Sequence, residues 1–181
     1  MSLEAELVVR SVTETDEASL ARLLTEFNGI ETTASQVRQR LNKSKGLEFP
    51  VVAQLGEEIV GLASLRLVHY LGEDAPYAEL SELYVSGDYR RRGVARNLIM
   101  ELEAQARSAG ASSWSVLTSS DNAAALAFYE ALGFRQFSVA LQKWFSAERP
   151  YREEKEPQEQ GWASRGSRLP KAETKEKGRE A

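Results

Sequence analysis

The chain has 181 residues, 42% of them apolar, and a formal net charge of −4. That suffices for one domain with a sizeable core; no apolar run is long enough to span a bilayer, and the acidic balance leaves no nucleic-acid footprint. With no cysteine and a single histidine, His69, disulfides, thiolate metal sites, a cysteine nucleophile and a histidine metal cluster are excluded.

The acidic start, Met1-Ser2-Leu3-Glu4-Ala5-Glu6, lacks the apolar stretch of a secretory signal, so a cytoplasmic location is expected. Leu7 to Val12 alternates and is rich in β-branched residues, which predicts a first strand. Thr15 or Asp16 is placed to cap a helix through Phe27, with Leu20, Leu23, Leu24 and Phe27 on one face. A more polar helix is predicted from about Ala34 to Asn42. Phe49 to Leu55, a Gly-Glu-Glu turn and Ile59 to His69 read as an antiparallel hairpin. After a loop over 70–76, Tyr77 to Val85 reads as a central strand.

From Gly93 to Ser108, Leu98, Leu102 and Ala106 recur at helical spacing with Ile99 beside them, and Gly110 is placed to end that helix. Ser113 to Leu117 is a short strand. Asp121 or Asn122 starts a last helix, Gly133 stops it, and Phe134 to Phe145 is expected to supply one or two further strands. Residues 146–181 hold nine Lys or Arg, eight Glu and one aliphatic side chain larger than alanine, Leu169. Such a segment buries too little to offset its ordering entropy, so a disordered, charged tail is expected after a domain at 1–145. The body keeps 14 basic against 19 acidic residues, a weak bias toward a cationic substrate.

The loop Arg90-Arg91-Arg92-Gly93-Val94-Ala95 lies between the central strand and a helix. A strand that passes through small residues into a helix aims several backbone N–H groups at one point, where the dipole also favours an anion. Gly93 and Ala95 let a pyrophosphate approach the backbone. The Walker pattern lacks its Gly-Lys-Ser/Thr ending here, and the Rossmann pattern lacks two glycines.

The pattern R-x-x-G-x-A, filled by Arg90, Gly93 and Ala95 after Glu82-Leu83-Tyr84-Val85, resembles the coenzyme loop of the GNAT superfamily of acetyl-CoA-dependent N-acetyltransferases. Downstream, Asn122 to Phe134 is similar to that family's N-x-x-A-x-x-F-Y-x-x-x-G-F segment. Together the two motifs extend the resemblance over roughly residues 5–145. It implies a single α/β (mixed α+β) domain with a mixed, largely antiparallel sheet and helices on both faces. It implies acetyl transfer from acetyl-CoA to an amine by direct attack, with no acyl-enzyme and no metal.

The resemblance also distributes roles. The N–H groups from Arg91 through Arg92, Gly93, Val94 and Ala95 to Arg96 would bind the pyrophosphate. The side chains of Arg90, Arg91 and Arg92 either complement the coenzyme's phosphates or are solvated. Backbone around Leu83, Tyr84 and Val85 would pair with the pantetheine arm as an added strand. Asn122 either bonds that arm or caps its own helix. Tyr129 would sit by the coenzyme sulfur as general acid, its phenol protonated at neutral pH.

Glu82 is the candidate base. Many members carry the glutamate one position earlier, where this chain has Ser81, and a one-residue shift turns a side chain to the other sheet face unless a bulge restores it. Glu79, an ordered water at Ser81, and His69 are the alternatives. Ser119 and Ser120 lack the histidine and acid partners of a hydrolase triad, and Trp114 and Phe137 read as core or pocket wall. A small-molecule amine is the expected acceptor; a protein lysine or N-terminus, or a non-catalytic acyl-CoA sensor, are the rival readings. Residues 85–93 resemble a stretch of aminoglycoside-modifying members. A homodimer is a further expectation, with no nucleic-acid or membrane partner.

Overall fold

The computed structural model describes residues 6–141, 143 and 145; the tail predicted over 146–181 lies outside them. The described chain runs β1 (Leu7–Ser11), a 3-10 turn (Glu14–Asp16), α1 (Glu17–Asn28), α2 (Ala34–Ser44), β2 (Glu48–Leu55), β3 (Glu58–Val68), β4 (Tyr77–Val85), a second 3-10 turn (Gly87–Tyr89), α3 (Val94–Ser108), β5 (Trp114–Val116) and α4 (Ala123–Ala131). The five strands form one sheet in sequence order. The first three pairings are antiparallel and β4–β5 is parallel.

Period-2 alternation gives the sheet two apolar faces, and each is covered by helices. On one, Val51, Ala53, Val60, Leu65 and Leu80 pack with Leu98, Ile99 and Leu102 of α3. On the other, Val52, Ile59 and Leu62 pack with Leu20, Leu23 and Leu24 of α1 and Val37 of α2. The first turn of α3 lies close on β3 because residue 61 is glycine. A Cβ there would sit 3.1 Å from the Tyr84 carbonyl oxygen and 3.2 Å from side-chain carbons of both Val94 and Leu98.

Local chemistry sets the ends. Of the two expected caps, Thr15 and Asp16, it is Asp16 that stands at the N-cap position of α1, without a side-chain cap bond there; its side chain closes the preceding 3-10 turn. Its carboxylate accepts from the Thr13 N–H at 2.8 Å and from Arg10 Nη1 at 2.7 Å and Nη2 at 2.8 Å. Thr33 and Gln36 form a reciprocal capping box at the start of α2. Arg38 grips Glu17 with two nitrogens and so ties α2 to α1. Helices α3 and α4 both end in paired backbone bonds around a left-handed glycine, Gly110 (φ 77°) and Gly133 (φ 94°). The strand expected after Phe134 is not found among the described residues of 134–145. Phe137, Val139 and Leu141 are exposed there, so the alternating pattern is present without a paired neighbour.

Candidate active site

Strand β4 decides the site. Its register with β3 pairs Leu65 with Leu80 and Ser64 with Glu82, so Ser81 is an extra residue and the strand is bulged there. Before the bulge Ala78 and Leu80 join the α3-side core; after it Leu83 and Val85 do so. The bulge therefore turns Glu82 and Tyr84 toward α1 and α2, the face that Glu79 also occupies. Without it Glu82 would share the face of Leu80.

The same strand is open along one edge. β5 pairs only with Ala78, Glu79 and Leu80. Beyond Leu80 the β5 side of β4, from Ser81 through Leu83, Tyr84 and Val85, has no strand partner among the described residues. An extended ligand could pair with that edge.

The loop at the end of β4 runs into α3. Arg91 is left-handed (φ 63°), as is Gly93 (φ 82°). From Arg91 to Arg96 the six backbone N–H groups make no hydrogen bond among the described residues, and the next, on Asn97, closes the first helical bond to the Gly93 carbonyl at 3.1 Å. Asn97 Nδ2 donates to that same carbonyl at 3.0 Å. A run of free donors at the positive end of a 15-residue helix has the chemistry to receive an anion such as a diphosphate.

The three arginines divide. Arg90 Nε donates to the Val85 carbonyl at 3.0 Å, and its guanidinium lies over the Tyr84 ring at 5.4 Å. It braces the loop to the strand. Arg92 lies over the Tyr89 ring at 5.5 Å. Both are exposed, as are Arg91 and Arg96.

Tyr129 lies near the end of α4. Its ring makes edge contacts with Phe128 at 5.3 Å and Phe134 at 5.5 Å and packs on the α3-side core. Burial raises its phenol pKa, so it stays protonated at neutral pH, and its hydroxyl has no hydrogen-bond partner among the described residues. Asn122 caps α4, Oδ1 accepting from the Ala125 N–H at 3.1 Å.

Glu82 is half-buried. Burial and then the neighbouring Glu48 push its carboxyl above the usual range, with Arg40 opposing. Its competitors are placed differently. Glu79 is engaged by Arg66 at 2.5 Å. The Ser81 hydroxyl donates to Glu48 at 2.5 Å. His69 is exposed beyond the end of β3, on the rim of an open depression of about 600 Å³ that Lys43, Glu48, Tyr77 and Glu79 also line. Ser119 is bonded to Asp121, and Trp114 stands under Phe134 with its ring nitrogen buried and unpartnered among the described residues.

Glu48, Ser64 and Arg40 escaped the sequence reading. The approach of Glu48 and Ser64 to Glu82 depends on the register of three strands, and that of Arg40 on how α2 seats against the sheet; the only trace of the first two in the sequence is a carboxylate and a hydroxyl in otherwise apolar strands.

Comparison with known proteins fits this geometry. Residues 18–134 match the family model described as Acetyltransferase (GNAT) family. A curated aminoglycoside N(6')-acetyltransferase type 1 from Acinetobacter genomosp. 13 is 30% identical over 108 residues, which covers 59% of this chain and 74% of that protein. Among solved structures, the aminoglycoside N-acetyltransferase AAC(6')-Iy in complex with CoA superposes with a TM-score of 0.71 at 17% identity, over 80% of this chain and 97% of that one. Glucosamine-6-phosphate N-acetyltransferase from Arabidopsis thaliana superposes with a TM-score of 0.68 at 16% identity, over 78% and 99%. At those identities the structural likeness is one of fold.

Proposed function

We propose, from the premise that this chain belongs to the acetyltransferase (GNAT) family and is an N-acetyltransferase, that it moves an acetyl group from acetyl-CoA to a primary amine of a small molecule, by direct attack and without an acyl-enzyme. The observation that carries the reading is the row of six free N–H groups from Arg91 to Arg96 beside the open edge of β4. The row fits a diphosphate, and the edge fits an extended amide-bearing arm. Acetyl-CoA would supply the activated thioester; with its diphosphate at the loop and its arm along Leu83 to Val85, its reactive end would lie back along β4, beside the bulge at Ser81 and Glu82.

The chain's own residues then have separate tasks. Gly93 and Ala95 leave room for the phosphates, and Leu83, Tyr84 and Val85 offer the backbone edge. Asn122 is committed to capping α4 through its carbonyl oxygen, and its amide N–H groups are left for the arm. An amine with a pKa near ~10 arrives as an ammonium and must lose a proton before it can attack. Glu82 takes that proton, directly or through a water. Tyr129, packed on the α3 side of the sheet, gives its proton to the departing thiolate. The amine would enter from the α1–α2 face, where Glu48, Glu79 and Glu82 favour a cation. The aminoglycoside-acetylating relative makes polyamino compounds the first acceptors to try.

Thermal unfolding with acetyl-CoA, CoA and ATP tests the coenzyme. A ligand at about 100 times its Kd adds roughly 2.7 kcal/mol, so Tm should rise with acetyl-CoA and CoA and stay put with ATP. No rise with acetyl-CoA would overturn the assignment of the loop. Thiol release across an amine panel then identifies the acceptor.

A further inference from the structure

We propose that Glu48, fixed on β2 by the hydroxyls of Ser64 and Ser81, is a positioning residue that holds a negative charge beside Glu82 and, together with burial, tunes it as a base. The reading of Glu82 as the base gives this its catalytic meaning, but the proton affinity itself is measurable without turnover.

The geometry is specific. Glu48 Oε2 accepts from Ser64 Oγ at 2.7 Å and from Ser81 Oγ at 2.5 Å. Ser64 is 5% exposed and pairs with Glu82 across the β3–β4 ladder. Ser81 is the extra residue of the bulge, so the same irregularity that turns Glu82 into this face also delivers a hydroxyl to Glu48. The two hydroxyls hold the Glu48 carboxyl in place on this face. A second carboxyl beside it is then disfavoured as an anion.

Among the charged neighbours Glu48 acts on Glu82 most strongly, and Lys43 of α2 and His69 line the same depression as Glu48. From α2 comes Arg40, which acts in the opposite sense and more weakly than Glu48. Arg66 of β3 and Glu79 of β4 are bonded to each other at 2.5 Å. From α1, Glu26 is held by Arg22 at 2.9 Å and accepts the Tyr84 hydroxyl at 3.3 Å. Burial and Glu48 together keep Glu82 above the ordinary carboxyl range. That moves a carboxyl toward the higher proton affinity a base needs when it must deprotonate an ammonium.

The test is a carbon-13 NMR titration of the full chain labelled at glutamate side-chain carboxyls, with Glu82 assigned from the spectrum of Glu82→Gln. In the unsubstituted chain the Glu82 midpoint should lie above the ordinary glutamate range; a midpoint within that range overturns the proposal without any substitution at Glu48. In Glu48→Gln, which keeps an oxygen for both hydroxyls, the Glu82 midpoint should move to lower pH, while Glu48→Asp should hold it high. An unmoved midpoint in a folded Glu48→Gln chain overturns the proposal. The acidic limb of kcat/KM should move with the midpoint. If the midpoint moves and the limb does not, Glu48 still tunes Glu82, and it is the reading of Glu82 as the base that fails.

Discussion

At neutral pH an ionised Glu82 is held against both burial and Glu48, so its charge opposes folding. A carboxyl whose folded pKa is raised contributes stability below its ordinary range, and that contribution is lost as pH rises through the folded value. Glu82→Gln should therefore unfold at higher urea than the parent chain at pH 7, with the difference closing as pH falls below the carboxyl range, while acetyl transfer drops by roughly 10²-fold. Asp16 has the opposite sign. Arg10 and Thr13 hold its carboxyl at about 2, against 3.8 ordinarily. That difference amounts to about 2 kcal/mol at neutral pH, present above the ordinary value and lost as pH falls through about 2. Asp16→Asn should cost about that much in urea denaturation at pH 7 and nothing once the parent carboxyl is protonated. Tyr129→Phe leaves packing intact and removes the only proton the ring can give. It should lower kcat by roughly 10²-fold with acetyl-CoA affinity nearly unchanged by calorimetry.

The loop–helix junction is where conformation and binding can be separated at the scale of an element. Gly93 stands at φ 82° with open space around a notional Cβ, its nearest neighbour Asn97 Nδ2 at 3.8 Å. Strain there comes from the left-handed backbone and not from crowding. A β-branched residue adopts that conformation poorly, so Gly93→Val should cost about 1–2 kcal/mol of stability and abolish the Tm rise given by acetyl-CoA. Arg91 is left-handed too and is not glycine. Arg91→Gly relieves its backbone and keeps its N–H, so stability should change by no more than about 0.5 kcal/mol. Coenzyme affinity in that variant reads the side chain alone: little loss by calorimetry would place the binding in the backbone donors.

At the scale of the whole molecule, the last side chain packed on either core cluster among the described residues is Leu132, and no helix among them is long and apolar enough to cross a membrane. A chain ending at Phe145 should therefore keep the parent Tm and its response to acetyl-CoA. A clear loss of Tm on that truncation would mean that residues 146–181 contribute to folding.

What the sequence determined by itself were the features that depend on near neighbours in the chain. Helices with caps and left-handed stops were legible because a cap such as Thr33 or a stop such as Gly133 acts within a few residues of itself. The strand–loop–helix junction was legible because its free N–H groups depend on adjacent residues, and Tyr129 could be named from the motif that contains it, whereas Glu82 stood one position off the family's glutamate and needed a bulge to face the same way. The sheet's registers were not legible, because pairing partners are tens of residues apart and every register satisfies local propensity about equally. Tertiary structure alone decided that Ser81 is bulged, and hence which way Glu82 faces. It also decided that Arg90 braces the strand end and that residues 134–141 stay unpaired. Above all it brought Glu48, Ser64 and Ser81 together from three strands, since a carboxyl's neighbours are fixed by which residues the sheet places side by side.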